Sequence, residues 1–144
     1  MKIFKYSMES VLSYRKNIEE EKKQEFSAVQ KKYLDERKVL IDLNDKLANI
    51  NTNLINSPPR ETIELKNLEQ YKELLRGRIE RQEQLLTEIE EDLEEKRSQM
   101  SEAQKDRKMV EKHREKTFYK YLYDVNRQEQ KIIDEFAISS YFRK

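Results

Sequence analysis

The sequence predicts an all-α chain: two long helices forming an antiparallel coiled-coil hairpin, with the second helix longer than the first. Three observations predict it. Of the 144 residues, 41% are charged and 35% hydrophobic, too polar for an ordinary globular core. Two classes share that signature: disordered chains, and long helices rich in Glu, Lys, Leu, Arg and Gln. Apolar residues recur at alternating steps of three and four through most of the chain, which a disordered segment has no reason to maintain. Helix breakers are confined to one glycine, Gly77, and two adjacent prolines, Pro58 and Pro59.

Helix 1 is expected from about residue 7 to 54. Ser7 is placed as an N-cap with Glu9 in the first turn, and Tyr6 and Val11 are spaced as a hydrophobic staple. Stepping by threes and fours from Phe26 reaches Val29, Tyr33, Glu36, Leu40, Leu43, Leu47, Ile50 and Leu54. All but Glu36 are apolar, the pattern of a coiled-coil seam. Upstream, Phe4, Met8, Val11, Arg15 and Ile18 follow the rule less cleanly. One extra residue is absorbed between Ile18 and Phe26, a small break in register.

The loop is expected over about residues 55–60. Proline disfavours helical backbone in the residue before it, which affects Ser57 and Pro58. Pro59 is suited to a helical first turn, where a missing N–H costs nothing. Asn51, Asn53, Asn56 and Ser57 supply turn chemistry. A connection this short makes the two helices antiparallel neighbours.

Helix 2 is expected over about residues 61–140. Its seam runs through Leu65, Leu68, Leu75, Ile79, Leu86, Ile89, Leu93, Met100, Ala103 and Val110, interrupted by Lys72, Gln82, Lys96 and Arg107. The chain thus reads as a single hairpin domain, residues 1–144. Folding it about residue 58 sets residues 82–102, with eight acidic and two basic side chains, opposite residues 14–34, with six basic and four acidic. Flanking charges of opposite sign help to set register.

The arms are unequal, roughly 75 Å against 120 Å at about 1.5 Å per residue. Helix 1 is therefore expected to run out opposite residue 112 or so, leaving the end of helix 2 uncovered. That end carries its own series: Phe118, Leu122, Val125, Glu129, Ile132 and Phe136, with Tyr119, Tyr121, Tyr123, Tyr141 and Phe142 nearby. An apolar stripe without an intramolecular partner calls for an external one. Three readings stand: a heterologous docking surface, pairing with a second copy as in a generic structural adaptor or spacer, or a shift of helix 1 to cover part of it.

The sequence offers little for catalysis. His113 is the only histidine and there is no cysteine, so no metal-ligand set is spelled out, and a solvated side chain is expected there. The acidic runs Glu19–Glu21 and "EIEEDLEE" (88–95) read as solvated faces. No glycine-rich phosphate cradle is present. The basic run "QKDRKMVEKHREK" (104–116) reads either as a solvated face or as a docking strip for an acidic partner. A net charge of +1 argues against nucleic-acid or membrane binding by bulk electrostatics. The start "MKIFKYSMES" has no apolar h-region, and no stretch reaches the approximately 18 apolar residues of a membrane span. A soluble, cytoplasmic, non-enzymatic protein is expected, with no catalytic, cofactor-binding or metal residues, no nucleic acid and no small-molecule substrate.

Three stretches, "FKYSMESVLSYRKNIEEEKKQEFS", "SEAQKDRKMVEK" and "NRQEQKIIDEFAISSYFRK", together resemble the flagellar FliJ family along essentially the whole chain. Gly77 departs from what that family leads one to expect at its position. The resemblance implies a soluble component of flagellar type III export, with a fold similar to the antiparallel coiled-coil stalk of rotary ATPases. It implies three kinds of partner: the hexameric export ATPase, a membrane export-gate protein and export chaperones. It places the protein at the cytoplasmic face of the membrane, peripherally associated, at the flagellar base. Carried onto this sequence, the ATPase-facing residues would be Tyr14, Arg15, Phe118, Leu122, Val125, Arg127, Gln130, Asp134, Glu135 and Phe136. The gate-facing residues would be Leu40, Leu43, Leu47, Tyr71 and Leu75.

Overall fold

A computed structural model describes residues 3–143. It contains two helices, α1 (Glu9–Asn56) and α2 (Thr62–Phe142), of 48 and 81 residues, and no strand among the described residues. The fold class is the predicted one, an all-α antiparallel coiled-coil hairpin with the longer helix second. The chain divides into two compact units, Lys22–Met100 and Met1–Glu21 with Ser101–Lys144.

In the unit Lys22–Met100, the break between the helices occupies residues 57–61. The Ser57 N–H still donates to the Asn53 carbonyl (2.8 Å), closing α1, and the Leu65 N–H donates to the Glu61 carbonyl (3.2 Å), opening α2. Glu61 is thus the first acceptor of α2, and Pro59 lies in the loop instead of the first turn. No described residue has a positive φ, so the turn is made by proline's restriction of the backbone and not by a left-handed residue.

The seam follows the predicted spacing. Phe26, Val29, Tyr33, Glu36, Leu40, Leu43, Leu47, Ile50 and Leu54 are all sheltered, with Leu43 buried. On α2, Leu68, Leu75, Ile79, Leu86, Ile89, Leu93 and Met100 are sheltered too, and Leu75 is the most enclosed side chain at 1% exposure. Leu65 departs from the expectation at 44% exposed, because it lies in the first turn of α2 beside the loop.

The polar residues that interrupt the α2 series are also sheltered, and they are partnered. The Gln82 amide donates to the Glu36 carbonyl (2.8 Å) and carboxylate (2.7 Å). Lys96 lies 3.8 Å from the Glu25 carboxylate, which Lys22 also approaches at 3.5 Å. Lys72 is buried with its ammonium 3.7 Å from Glu69. A polar group taken from water costs free energy unless it finds such partners.

The pairing register differs from the expectation. A fold about residue 58 would set Tyr33 opposite the early eighties, yet its hydroxyl donates to Glu90 (3.1 Å), and Arg97 stacks over the Phe26 ring at 5.7 Å. Part of the cause lies in the turn: α1 continues to Asn56 and the break is centred on residue 59, which moves each partner about two residues along, as for Glu36 and Gln82.

In the unit Met1–Glu21 with Ser101–Lys144, the same shift recurs. Arg15 meets Asp106 (3.4 Å), not the neighbourhood of Met100. Leu12 (3% exposed) and Glu19 are buried more deeply than their neighbours Val11 and Ile18, which the spacing had placed on the seam. Three adjacent pairs, Val11 with Leu12, Ile18 with Glu19 and Glu25 with Phe26, are sheltered together. This is how the extra residue between Ile18 and Phe26 is absorbed, by spreading the slip over several turns.

Buried Glu19 accepts a hydrogen bond from the Arg107 Nε, and Arg107 Nη1 donates to Glu111 (2.7 Å). These two carboxylates hold the guanidinium pKa above its ordinary value. Arg15–Asp106 sets a base of α1 against an acid of α2, and Glu19–Arg107 and Glu9–Arg114 (3.0 Å) the reverse, all with their α2 member beyond the acidic block 82–102. Individual seam positions, not the blocks, decide these pairs.

Candidate functional site

The residues expected to meet an ATPase ring lie in the unit formed by both ends of the chain. Before α1, residues 3–8 run as a non-helical strap. Its entry to the helix is a turn in which the Glu9 N–H donates to the Tyr6 carbonyl (3.2 Å), one step after the expected Ser7 cap. Tyr6 is buried, and its hydroxyl meets His113 Nδ1 at 2.5 Å. His113 remains exposed, but it is not simply solvated: it anchors the strap, a role that sequence spacing gave no means of finding.

Phe4 packs edge-on against Phe118 (ring centroids 5.1 Å) and lies 5.3 Å from Tyr121, with the Arg114 guanidinium 5.9 Å above its ring. Cover therefore continues past residue 112, out to Tyr121, because the strap takes over where α1 begins. Phe118 is 37% exposed, Leu122 similar, and Val125 half-buried.

From residue 126 onward every described residue is exposed. Ile132, Ile133, Phe136 (77% exposed), Ile138, Tyr141 and Phe142 lie in the open. Arg127 and Glu135 are exposed beside them, and Gln130 donates to Asp134 (3.0 Å) one turn on. Phe118, Leu122, Val125, Ile132 and Phe136 thus share one helical stripe that is covered at its beginning and open at its end. Tyr14 and Arg15 are not gathered there. Tyr14 is exposed on α1, and Arg15 stands level with Asp106, about three turns before Phe118.

The expected gate-facing residues lie in the unit Lys22–Met100. Leu43 and Leu75 are buried, and Leu40 and Leu47 are sheltered in the seam, so none of the four is offered to a partner while the helices stay paired. Tyr71 is 43% exposed. It lines an open groove of about 560 Å³ beside the turn, with Ile50, Leu54, Pro59, Asn67 and Leu68. Ile55, Ile63 and Leu74 are further exposed apolar residues around this end.

Among the described residues, no group of three or more His, Cys, Asp or Glu side chains is placed to hold a metal ion. No described helix is long and apolar enough to cross a membrane.

No curated protein and no solved structure matches the chain. The family model described as "Flagellar FliJ protein" matches residues 4–144, nearly the full length and both helices. With two helices paired in the predicted order and a match of this extent, the chain belongs to the flagellar FliJ family, a component of flagellar export.

Proposed function

We propose that the protein is a non-enzymatic stalk and coupling protein of flagellar type III export, working at the cytoplasmic face of the membrane at the flagellar base. The end of α2 enters the central hole of the hexameric export ATPase. The surface near the turn, through Tyr71 and the groove beside it, faces the membrane export gate, and the chain also escorts export chaperones. The observation that carries the reading is the open stripe Ile132, Ile133 and Phe136 on α2 beyond Val125, an apolar helix face with no partner of its own. Inside a ring, such an asymmetric face touches different subunits differently. Only contacts that differ between states shift a conformational equilibrium, so the asymmetry is what would let the stalk bias ATP turnover.

The test is a cut after Val125. The truncated chain should keep its helix pairing by circular dichroism and crosslinking, yet lose stimulation of the purified export ATPase. Full stimulation by the shortened protein would remove the tail from the ring. Sedimentation of the intact chain bears on the rival reading, in which two copies pair through this stripe: a monomer at micromolar concentration excludes it.

A further inference from the structure

The strap before α1 lies over the first members of the same stripe whose later members are open. We propose that this strap, residues 4–6, is a displaceable cover: it closes over Phe118 and Tyr121, and a partner seated on the open part of the stripe competes with it for them. The competition rests on the tail-docking reading above; the cover itself does not.

Four features support a cover that opens by itself while the helices stay paired. The strap is non-helical, and among the described residues the backbone hydrogen bond that ties it is the turn from Tyr6 to Glu9. Among the described residues, its side-chain contacts run from Phe4 to Phe118, Tyr121 and the Arg114 guanidinium, and from Tyr6 to His113. His113 is exposed, so water can replace the Tyr6 hydroxyl at little cost. Finally, Phe118, Leu122 and Val125 lie on the same 3-4 series as Ile132 and Phe136, with Glu129 between them, so a partner seated on the open residues and reaching back to Leu122 meets Phe4 at the edge of its footprint. Opening the strap lengthens the available stripe by about one turn. A cover that is closed most of the time lowers the apparent affinity for the partner by the fraction of time it is open.

The chain has no native cysteine, so single thiols report cleanly. In a Tyr121→Cys variant, the rate of labelling by a small thiol reagent measures opening without any partner. Labelling should be much faster than global unfolding and faster still when Phe4→Ala is added. A rate equal to that of global unfolding, or one indifferent to Phe4→Ala, overturns the cover. For competition, Phe4→Cys with Phe118→Cys, joined by a short thiol crosslinker, locks the strap shut. The locked form should bind purified export ATPase several-fold more weakly than the same variant before crosslinking, and Phe4→Ala should bind more tightly than the parent chain. Equal binding by locked and unlocked forms, or weaker binding by Phe4→Ala, overturns the competition. An ATPase that binds none of these forms, while labelling still responds to Phe4→Ala, removes the docking reading and leaves the cover standing.

Discussion

The Gln82 amide and the Glu36 side chain meet within the helix seam, where each stands at a position the apolar series leaves polar. The amide donates both to the Glu36 carboxylate (2.7 Å) and to its backbone carbonyl (2.8 Å). Changing Gln82 alone to Leu removes the donor and leaves a sheltered carboxylate poorly paired. Such a loss typically costs about 1–3 kcal/mol. Changing both residues to Leu should restore the stability or raise it, since an apolar pair of suitable shape has nothing left to satisfy. Urea unfolding of the two single variants and the double variant checks this; a double variant less stable than both singles would contradict it.

Leu75 and the acidic run of α2 separate packing from surface charge. Leu75 is 1% exposed, so Leu75→Ala should cost about 2–5 kcal/mol through lost burial and the cavity left behind. Glu91 is exposed, and Glu91→Lys should change stability by less than about 0.5 kcal/mol. Thermal or denaturant unfolding distinguishes them, and similar losses from the two changes would mean the seam has been misplaced.

Gly77 is a helical residue without a structural need for glycine. Its φ is not positive, and a β-carbon built there meets nothing within 4 Å. Gly77→Ala should therefore stabilise the chain by up to about 1 kcal/mol, through helix propensity and a less flexible unfolded chain. A fall in melting temperature would show that the open space at this position is not available to a methyl group.

Two cuts in α2 should differ in effect. Cutting after Val125 removes residues that are all exposed in the folded chain and should leave the melting temperature nearly unchanged. Cutting after Thr117 also removes Phe118 and Tyr121, the rings on which Phe4 packs. That variant should melt lower, and the Ile3–Tyr6 segment should become sensitive to protease. Identical melting of both truncations would show that the aromatic contacts contribute nothing.

The sequence alone determined the local structure and its sidedness. The prolines at 58 and 59 located the break, and the series from Phe26 to Leu54 named the sheltered residues of α1, because both signals depend on backbone constraints and on the 3.6-residue turn, which act over a few residues. The open end of α2 was legible for the same reason: its stripe is periodic and α1 is too short to cover it. Only the tertiary structure decided the register, placing Arg15 on Asp106 and Tyr33 on Glu90. A heptad pattern slid along its partner by a whole repeat still matches apolar to apolar, so the seam cannot choose its own alignment; the length of the turn and polar pairs such as Glu36–Gln82 and Glu19–Arg107 choose it. The strap was decided there as well. Phe4 reaches Phe118, and Tyr6 reaches His113, 107 residues away, only once the chain has folded back on itself, and no spacing within either segment encodes that meeting.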